Sequence, residues 1–335
     1  MRPGACTLGR VNPGSNRSGI LLVDKPPGNT SHDVVARTRR LAGTRKVGHA
    51  GTLDPLATGL LVLGVNSSTR LLTYVVGLDK EYEAVIRLGA STTTDDSEGD
   101  VLEVAPAGAI GGLTDQRITD GLAALTGDVL QRPSSVSAIK VDGKRAYARV
   151  RGGETVVLDA RAVTISSIDV LGGGPVSAAD GSGAAAFWDV SVRVVCSSGT
   201  YIRAIARDLG DALGVGGHLT ELRRTRIGPF GVAEAHTLET IDADRDLLAP
   251  AAVAALLFPT VPFDAAQAAD LRNGKWVDLS DAARSGPAPL AAIDPAGLLI
   301  GLFEIRGGTA RVLVNFPTDA TTATETATAT DGPAT

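Results

Sequence analysis

Gly48-His49-Ala50-Gly51-Thr52-Leu53-Asp54-Pro55-Leu56-Ala57-Thr58-Gly59 holds too much glycine and proline for a regular helix or strand. The residues after it, Leu60-Leu61-Val62-Leu63-Gly64-Val65, form an apolar run of strand length. Together they read as a loop that delivers polar groups to the end of a buried strand, where active sites tend to be built. Asp54 precedes Pro55, so its backbone is pushed towards an extended conformation and its carboxylate is aimed outward from a stiff support. Read alone, the Asp54-Pro55 pair is ordinary turn chemistry.

Upstream, Ile20-Leu21-Leu22-Val23 reads as a short strand ended by Asp24-Lys25-Pro26-Pro27-Gly28. Thr30 or Ser31 caps a helix running to about Leu41, with Asp33 three residues after Thr30. Met1 to Ser18 is polar, rich in Gly and Pro and without an apolar core, so it reads as a disordered leader and not a signal peptide. Downstream, Thr69 to Val76 looks helical. Lys80 to Leu88 alternates, with Tyr82, Ala84, Ile86 and Leu88 on one face. Thr92 to Gly99 is a polar, acidic loop, and Thr114 to Leu125 a capped helix ended by Gly127. Residues 128–160 lack sustained periodicity, and a loop of this length is functional or disordered. Arg161 to Leu171 is strand-like. Gly172 to Ala186, rich in Gly, Ala and Ser, resembles a linker-like insertion.

Phe187 to Cys196 alternates strongly, and Ser198-Gly199-Thr200 turns into a helix with the apolar stripe Ile202, Ile205, Ala206, Leu209, Leu213. Arg203 sits at that helix's start, where the dipole disfavours a cation. Ala249 to Leu257 is expected to close a first domain (19–258), and Pro259-Thr260-Val261-Pro262 to be a linker. Three strands, Leu290–Ile293, Leu298–Ile305 and Ala310–Phe316, then form a small β domain (259–317), followed by a disordered Thr/Ala tail (318–335).

The 335 residues suit two domains, with 44% apolar but only 4% aromatic residues, so Ala, Val and Leu must fill the core. Two distant cysteines offer neither a disulfide framework nor a zinc site, and Cys196 reads as a small buried hydrophobe. The four histidines show no i, i+4 pairing, which argues against a metal. No apolar run reaches bilayer-spanning length, so the expectation is a soluble, cytoplasmic protein. The net charge is −5, yet residues 229–335 hold 14 acids and 6 bases, which leaves residues 1–228 at +3. The bases there cluster: Arg37 to Lys46, Arg132 to Arg151, and Arg223, Arg224, Arg226. Three such clusters in one half of an acidic chain fit a polyanion footprint.

No Walker loop, intact Gly-x-Gly-x-x-Gly unit or Gly-x-Ser-x-Gly elbow is present, so no nucleotide-cofactor site is expected. What remains is a presented carboxylate, several arginines and tyrosines, and a basic surface. An aspartate can act as nucleophile or general base without a cofactor. To stay ionised beside bases and phosphates it needs a nearby cation, for which Arg203 is the natural candidate. Reaching a base in folded RNA requires extruding it and stacking it on a ring. Tyr82 and Tyr201 are candidates, although both also suit core packing.

The opening motif resembles the signature of the TruB family of tRNA pseudouridine synthases. The resemblance extends to Asp24-Lys25-Pro26-Pro27-Gly28-Asn29-Thr30-Ser31, Lys80-Glu81-Tyr82, Ser198-Gly199-Thr200-Tyr201-Ile202-Arg203 and His218-Leu219-Thr220-Glu221-Leu222-Arg223-Arg224. Pro133 to Lys140 is similar to the start of the family's RNA-gripping thumb, here about 128–160. These matches span about Ile20 to Pro229, and Pro55 to Gly59 resembles the bacterial stand-alone branch.

The resemblance implies isomerisation of uridine 55 in the T loop of tRNA to pseudouridine, without cofactor, metal, guide RNA or obligate protein partner, by a monomer. Asp54 then matches the catalytic aspartate, Arg203 its ion-pair partner, and Tyr82 the ring that stacks on the flipped base and assists proton removal. His49, Tyr201 and Leu222 match further substrate-binding residues. Lys140, Lys144, Arg145, Arg149, Arg223 and Arg224 are expected on the RNA backbone. The expected fold is α/β: a mixed, largely antiparallel central sheet with flanking helices, the pseudouridine synthase fold, plus a small C-terminal β domain that is PUA-like. A tRNA-folding chaperone acting without chemistry and an N-glycosidic hydrolase are the alternatives.

Overall fold

The computed structural model describes residues 17–106, 108–134, 140–141, 144–145, 159–177, 185–279 and 287–317. In chain order the elements are β1 (Gly19–Lys25), α1 (Ser31–Leu41), β2 (Val47–His49), β3 (Thr58–Val65), α2 (Leu72–Val76), β4 (Lys80–Leu88), β5 (Ala90–Thr92), β6 (Val101–Val104) and α3 (Asp115–Ala124). Then come β7 (Gly127–Gln131), β8 (Lys140–Val141), β9 (Lys144–Arg145), β10 (Arg161–Ser177), β11 (Ala185–Cys196), α4 (Ile202–Leu213), β12 (Gly217–Ile227), β13 (Phe230–Gly231) and β14 (His236–Thr237). The chain ends with α5 (Pro250–Leu257), β15 (Thr260–Pro262), α6 (Ala265–Arg272), β16 (Val277–Asp278), β17 (Leu290–Ile293), β18 (Leu299–Arg306) and β19 (Thr309–Asn315).

A ten-stranded sheet runs β14-β1-β3-β12-β4-β11-β10-β7, with β2 added to β3 and β13 to β12. Only β1 with β14 and β3 with β12 pair in parallel, so the sheet is mixed and largely antiparallel, as expected. A second, five-stranded sheet orders β15-β17-β18-β19-β16.

The sequence patterns follow from which faces are covered. β1 and β3 are apolar without a break because both faces are buried. Ile20, Leu22, Leu60 and Val62 pack with Val75 of α2 and Val253 of α5. Leu21, Val23, Leu61 and Leu63 pack with Val34 and Val35 of α1 on the other side. β4 and β11 alternate because only one face is buried. There Tyr82, Ala84, Ile86, Val190, Val192 and Val194 meet Ile118 and Leu122 of α3 and Ile205 and Leu209 of α4. The opposite face carries ion pairs such as Arg87–Asp189 and Arg193–Glu83. The expected box at α1 is present: Thr30 accepts from the Asp33 amide, and Asp33 accepts from the Thr30 amide.

Three expectations need correction. The leader does not extend through Ser18: Arg17 and Ser18 are buried, and Arg17 Nη2 bonds Asp244 Oδ1 at 2.5 Å. Residues 1–16 and the 318–335 tail lie outside the described residues. Gly172 to Ala186 is no linker where it is described, because β10 continues to Ser177 and pairs with β11 out to Ala185. Ladder bonds come from the backbone, so small residues pair without adding side-chain packing. A Cβ on Gly173 would lie 2.2 Å from the Asp189 carbonyl oxygen. Pro259 to Pro262 is likewise an edge strand, not a linker: β15 runs parallel to β17, and the Ala291 amide donates to the Pro259 carbonyl. Proline is compatible with a sheet edge, where its missing N–H faces away from the ladder. The small β domain also holds α6 and β16, which the three expected strands left out.

Candidate active site

Asp54 lies in the loop between β2 and β3, and every side of that loop is tied. The Leu53 amide donates to Ser31 Oγ at 2.8 Å, and the same hydroxyl donates to the Leu53 carbonyl at 3.1 Å. The Ala57 amide closes a turn on the Asp54 carbonyl at 3.1 Å, with Pro55 at the position where its fixed φ suits a turn. The Pro55 carbonyl accepts from the Gly28 amide at 3.0 Å and from Lys25 Nζ at 3.2 Å. The Lys25 ammonium is fully buried and also donates to the Pro26 and Asn29 carbonyls. Burial lowers its pKa to about 8. The stretch Asp24 to Ser31 therefore acts as a clamp on the loop.

Two arginines complete the setting. Arg203 Nη2 lies 3.0 Å from Asp54 Oδ2, and Arg203 Nη1 lies 3.1 Å from Asp96 Oδ2. Nη1 also donates to the Thr94 carbonyl at 2.9 Å. The guanidinium is thus held between two carboxylates, with Asp96 and Arg203 almost wholly buried and the Asp54 side chain 39% exposed. Asp96 is itself fixed by the Glu98 amide at 3.0 Å and the Thr94 hydroxyl. Arg224 runs beneath the loop. Its Nε donates to the Leu60 carbonyl at 2.8 Å and its Nη2 to the Gly51 carbonyl at 3.1 Å.

Asp54, Arg203, Tyr82, Tyr201 and Leu222 line one cavity of about 340 Å³, together with Lys80 and Arg224. That volume is at the small end of ordinary ligand pockets and admits a planar ring with its sugar. The Tyr82 hydroxyl has its pKa raised by burial, with Arg224 beside it acting in the opposite sense. Tyr201 is fixed at the head of α4 by Gln131, which accepts from its amide at 2.7 Å and donates to its carbonyl at 2.9 Å.

The remaining expected residues are placed differently. His49 does not line the cavity; its ring stands edge-on to His32 at 5.9 Å, and burial lowers its pKa. Arg224 is 1% exposed and lines the cavity, with Nε and Nη2 held by the Leu60 and Gly51 carbonyls, so the structure places this expected phosphate contact beneath the loop and not on the outer surface. Arg223 pairs with Asp24 at 2.6 Å. Lys140, Lys144 and Arg145 lie on the β8–β9 hairpin, and Arg149 lies outside the described residues. Asp96 was missed within its polar run, as were Lys25, Lys80 and Ser31. The signal that could have led to Asp96 was Arg203, a buried-stripe neighbour in need of counter-charge.

The fold is that of the pseudouridine synthases. The chain superposes on the structure titled "Structure of H/ACA RNP bound to a substrate RNA containing 2'-deoxyuridine" with a TM-score of 0.63 and 23% identity, over 90% of this chain and 86% of that one. A Cbf5-Nop10-Gar1 complex gives 0.61 and 24%, over 88% and 83%. Residues 39–202 match the TruB family pseudouridylate synthase N-terminal domain. Residues 203–259 match the tRNA pseudouridylate synthase B C-terminal domain, and 258–317 the tRNA pseudouridine synthase II C-terminal domain. The tRNA pseudouridine synthase B of Leifsonia xyli subsp. xyli is 58% identical over 302 residues, covering 90% of this chain and 97% of that protein. That of Arthrobacter sp. is 52% identical over 304 residues, covering 89% and 96%. The chain belongs to the TruB family of pseudouridylate synthases.

Proposed function

We propose that this chain isomerises uridine 55 in the T loop of tRNA to pseudouridine, with Asp54 acting on the sugar of a flipped-out nucleotide. The observation that carries this reading is the Asp54–Arg203 pair at the wall of the cavity that Tyr82 also lines. The N1–C1′ bond breaks with its electron pair left on uracil, the ring turns, C5 bonds to C1′, and the C5 proton is lost as N1 gains one. Atoms balance without a cofactor. Asp54 can open this sequence by attacking C1′ or by taking a sugar proton, and Arg203 supplies the counter-charge for either. Tyr82, Tyr201 and Leu222 hold the ring, with His49 as the candidate that keeps the base out of its loop. Lys140, Lys144, Arg145 and Arg149, with Arg223 at the sheet, are the candidate phosphate contacts. The protein acts as a cytoplasmic monomer without guide RNA, and the β15–β19 sheet serves as a PUA-like module.

The test is a T-arm stem-loop carrying tritium at uridine C5. Isomerisation releases the label without loss of the base; hydrolysis would lose the base, and a chaperone alone would release nothing. Asp54→Asn is expected to lower release at least ~10³-fold while RNA binding stays within about threefold. Undiminished release would overturn the role of Asp54.

A further inference from the structure

Lys80 opens β4, two residues before Tyr82 on the same face of the sheet. It is 5% exposed and lines the active cavity. Its Nζ donates to the Val76 carbonyl at 2.6 Å and the Leu78 carbonyl at 2.5 Å, and Val76 lines the same cavity. Two of three ammonium hydrogens are used in this way. No carboxylate of the described residues bonds to it.

Across the sheet, Lys80 pairs in register with Cys196 of β11 and Ile227 of β12, whereas Tyr82 pairs with Arg224. Arg224 is also buried, lines the cavity and bonds backbone carbonyls. Two buried cations, Lys80 and Arg224, therefore line the same cavity as Tyr82. Burying an ammonium without a counter-ion is costly, and an apolar side chain of similar volume would cost far less. A local rule broken at an active site calls for a functional reason.

The reaction supplies one. When N1–C1′ breaks, the electron pair stays on uracil, and the negative charge spreads to its carbonyl oxygens. Preorganised donors aimed at developing charge are strong catalysts in a water-poor site. We propose that Lys80 is a catalytic residue whose ammonium stabilises the uracil anion released on glycosidic cleavage, with Arg224 reinforcing it from beside Tyr82. This rests on the isomerase reading above.

The titratable groups facing Lys80 are the Arg224 cation from β12, the Cys196 thiol from β11, which burial keeps neutral by raising its pKa to about 11, and Asp79 from the preceding turn, with Asp54 and Tyr82 on the same cavity wall. Burial first and Arg224 second hold the Lys80 pKa down at about 8, with Asp79 opposing. The ammonium is present below that pH and is lost above it.

The experiment is single-turnover reaction of Lys80→Met on T-arm stem-loops holding uridine or 5-fluorouridine at the target, read by digestion and chromatography. Fluorine stabilises the leaving anion intrinsically, so the enzyme's contribution matters less. Lys80→Met is expected to lose at least ~30-fold in rate on uridine and several-fold less on 5-fluorouridine, with RNA affinity within about threefold. A rate within threefold of the unmodified enzyme would overturn the proposal. So would an equal loss on both substrates, or a loss confined to affinity. Lys80→Arg is expected to recover part of the rate and to move the alkaline fall in rate to higher pH; if Lys80→Met does not fold, that shift decides the matter, and an unmoved limb overturns it. Asp54→Asn, run alongside, tests the isomerase reading separately.

Discussion

Arg203 meets Asp54 with one nitrogen and Asp96 with the other, so the two carboxylates define its plane. A planar guanidinium suits this role better than an ammonium would, because its donors keep a fixed angle. Asp96 does not line the cavity but meets Arg203, so on the proposed mechanism its influence on Asp54 runs through that guanidinium. Asp96→Asn keeps the shape but removes one counter-charge. It is expected to lower single-turnover label release by about 10²-fold, the scale of a small misplacement of a reacting group, with T-arm affinity within threefold. A rate within threefold of the unmodified enzyme would exclude the positioning role. At this scale legibility follows local chemistry. Asp54 stands out in sequence because glycine and proline forbid any regular element around it. Asp96 sits in Thr92 to Gly99 among polar neighbours, and nothing local separates a buried carboxylate from exposed ones. Its burial is a tertiary fact, set by Arg203 more than a hundred residues away.

The loop that carries Asp54 owes its shape to both of its ends. Gly59 has φ +96, and a Cβ there would lie 2.2 Å from the Arg224 carbonyl oxygen, because β3 and β12 pair in parallel at this point. Gly59→Ala must strain the backbone and push the two strands apart. Gly127 has φ +98 but open space around the position of a Cβ, so Gly127→Ala meets strain alone. Denaturant unfolding is expected to show a loss of about 1–2 kcal/mol for Gly127→Ala and at least ~3 kcal/mol for Gly59→Ala. Equal losses would mean that the close approach of β3 and β12 carries no energetic weight. Element-level legibility divides along the same physical line. β4 and β11 were readable because burial of one face writes a period of two into the sequence. The outer half of the β10–β11 hairpin and β15 were not, because glycine and proline signal loops while backbone pairing needs no side-chain pattern. The start of α6 carries a cap, Asp264 with Gln267, yet only Ala268 and Leu271 of the helix are buried, too few to show a period.

At the scale of the molecule, the two sheets share apolar surface. Ile20, Leu22, Phe230, Leu248 and Val253 of the first part form one buried cluster with Ala291, Leu299, Leu302 and Phe316 of the second. Length alone suits two domains, and Pro259 to Pro262 reads in sequence as the linker between them. What composition cannot register is that β15 pairs with β17 immediately after α5, leaving almost no chain free to act as a hinge. Apolar contact of this kind couples unfolding of the parts, because separating them exposes surface worth about 25 cal/mol per Å². A single calorimetric transition is therefore expected for the full chain. A fragment ending at Phe258 would leave Phe230, Leu248 and Val253 partly uncovered. It is expected to melt more than ~5 °C below the full chain and to bind a dye specific for exposed apolar surface. Two separated transitions in the full chain, or a fragment that melts with it, would show that the shared cluster holds nothing together and that the sheets fold as independent bodies.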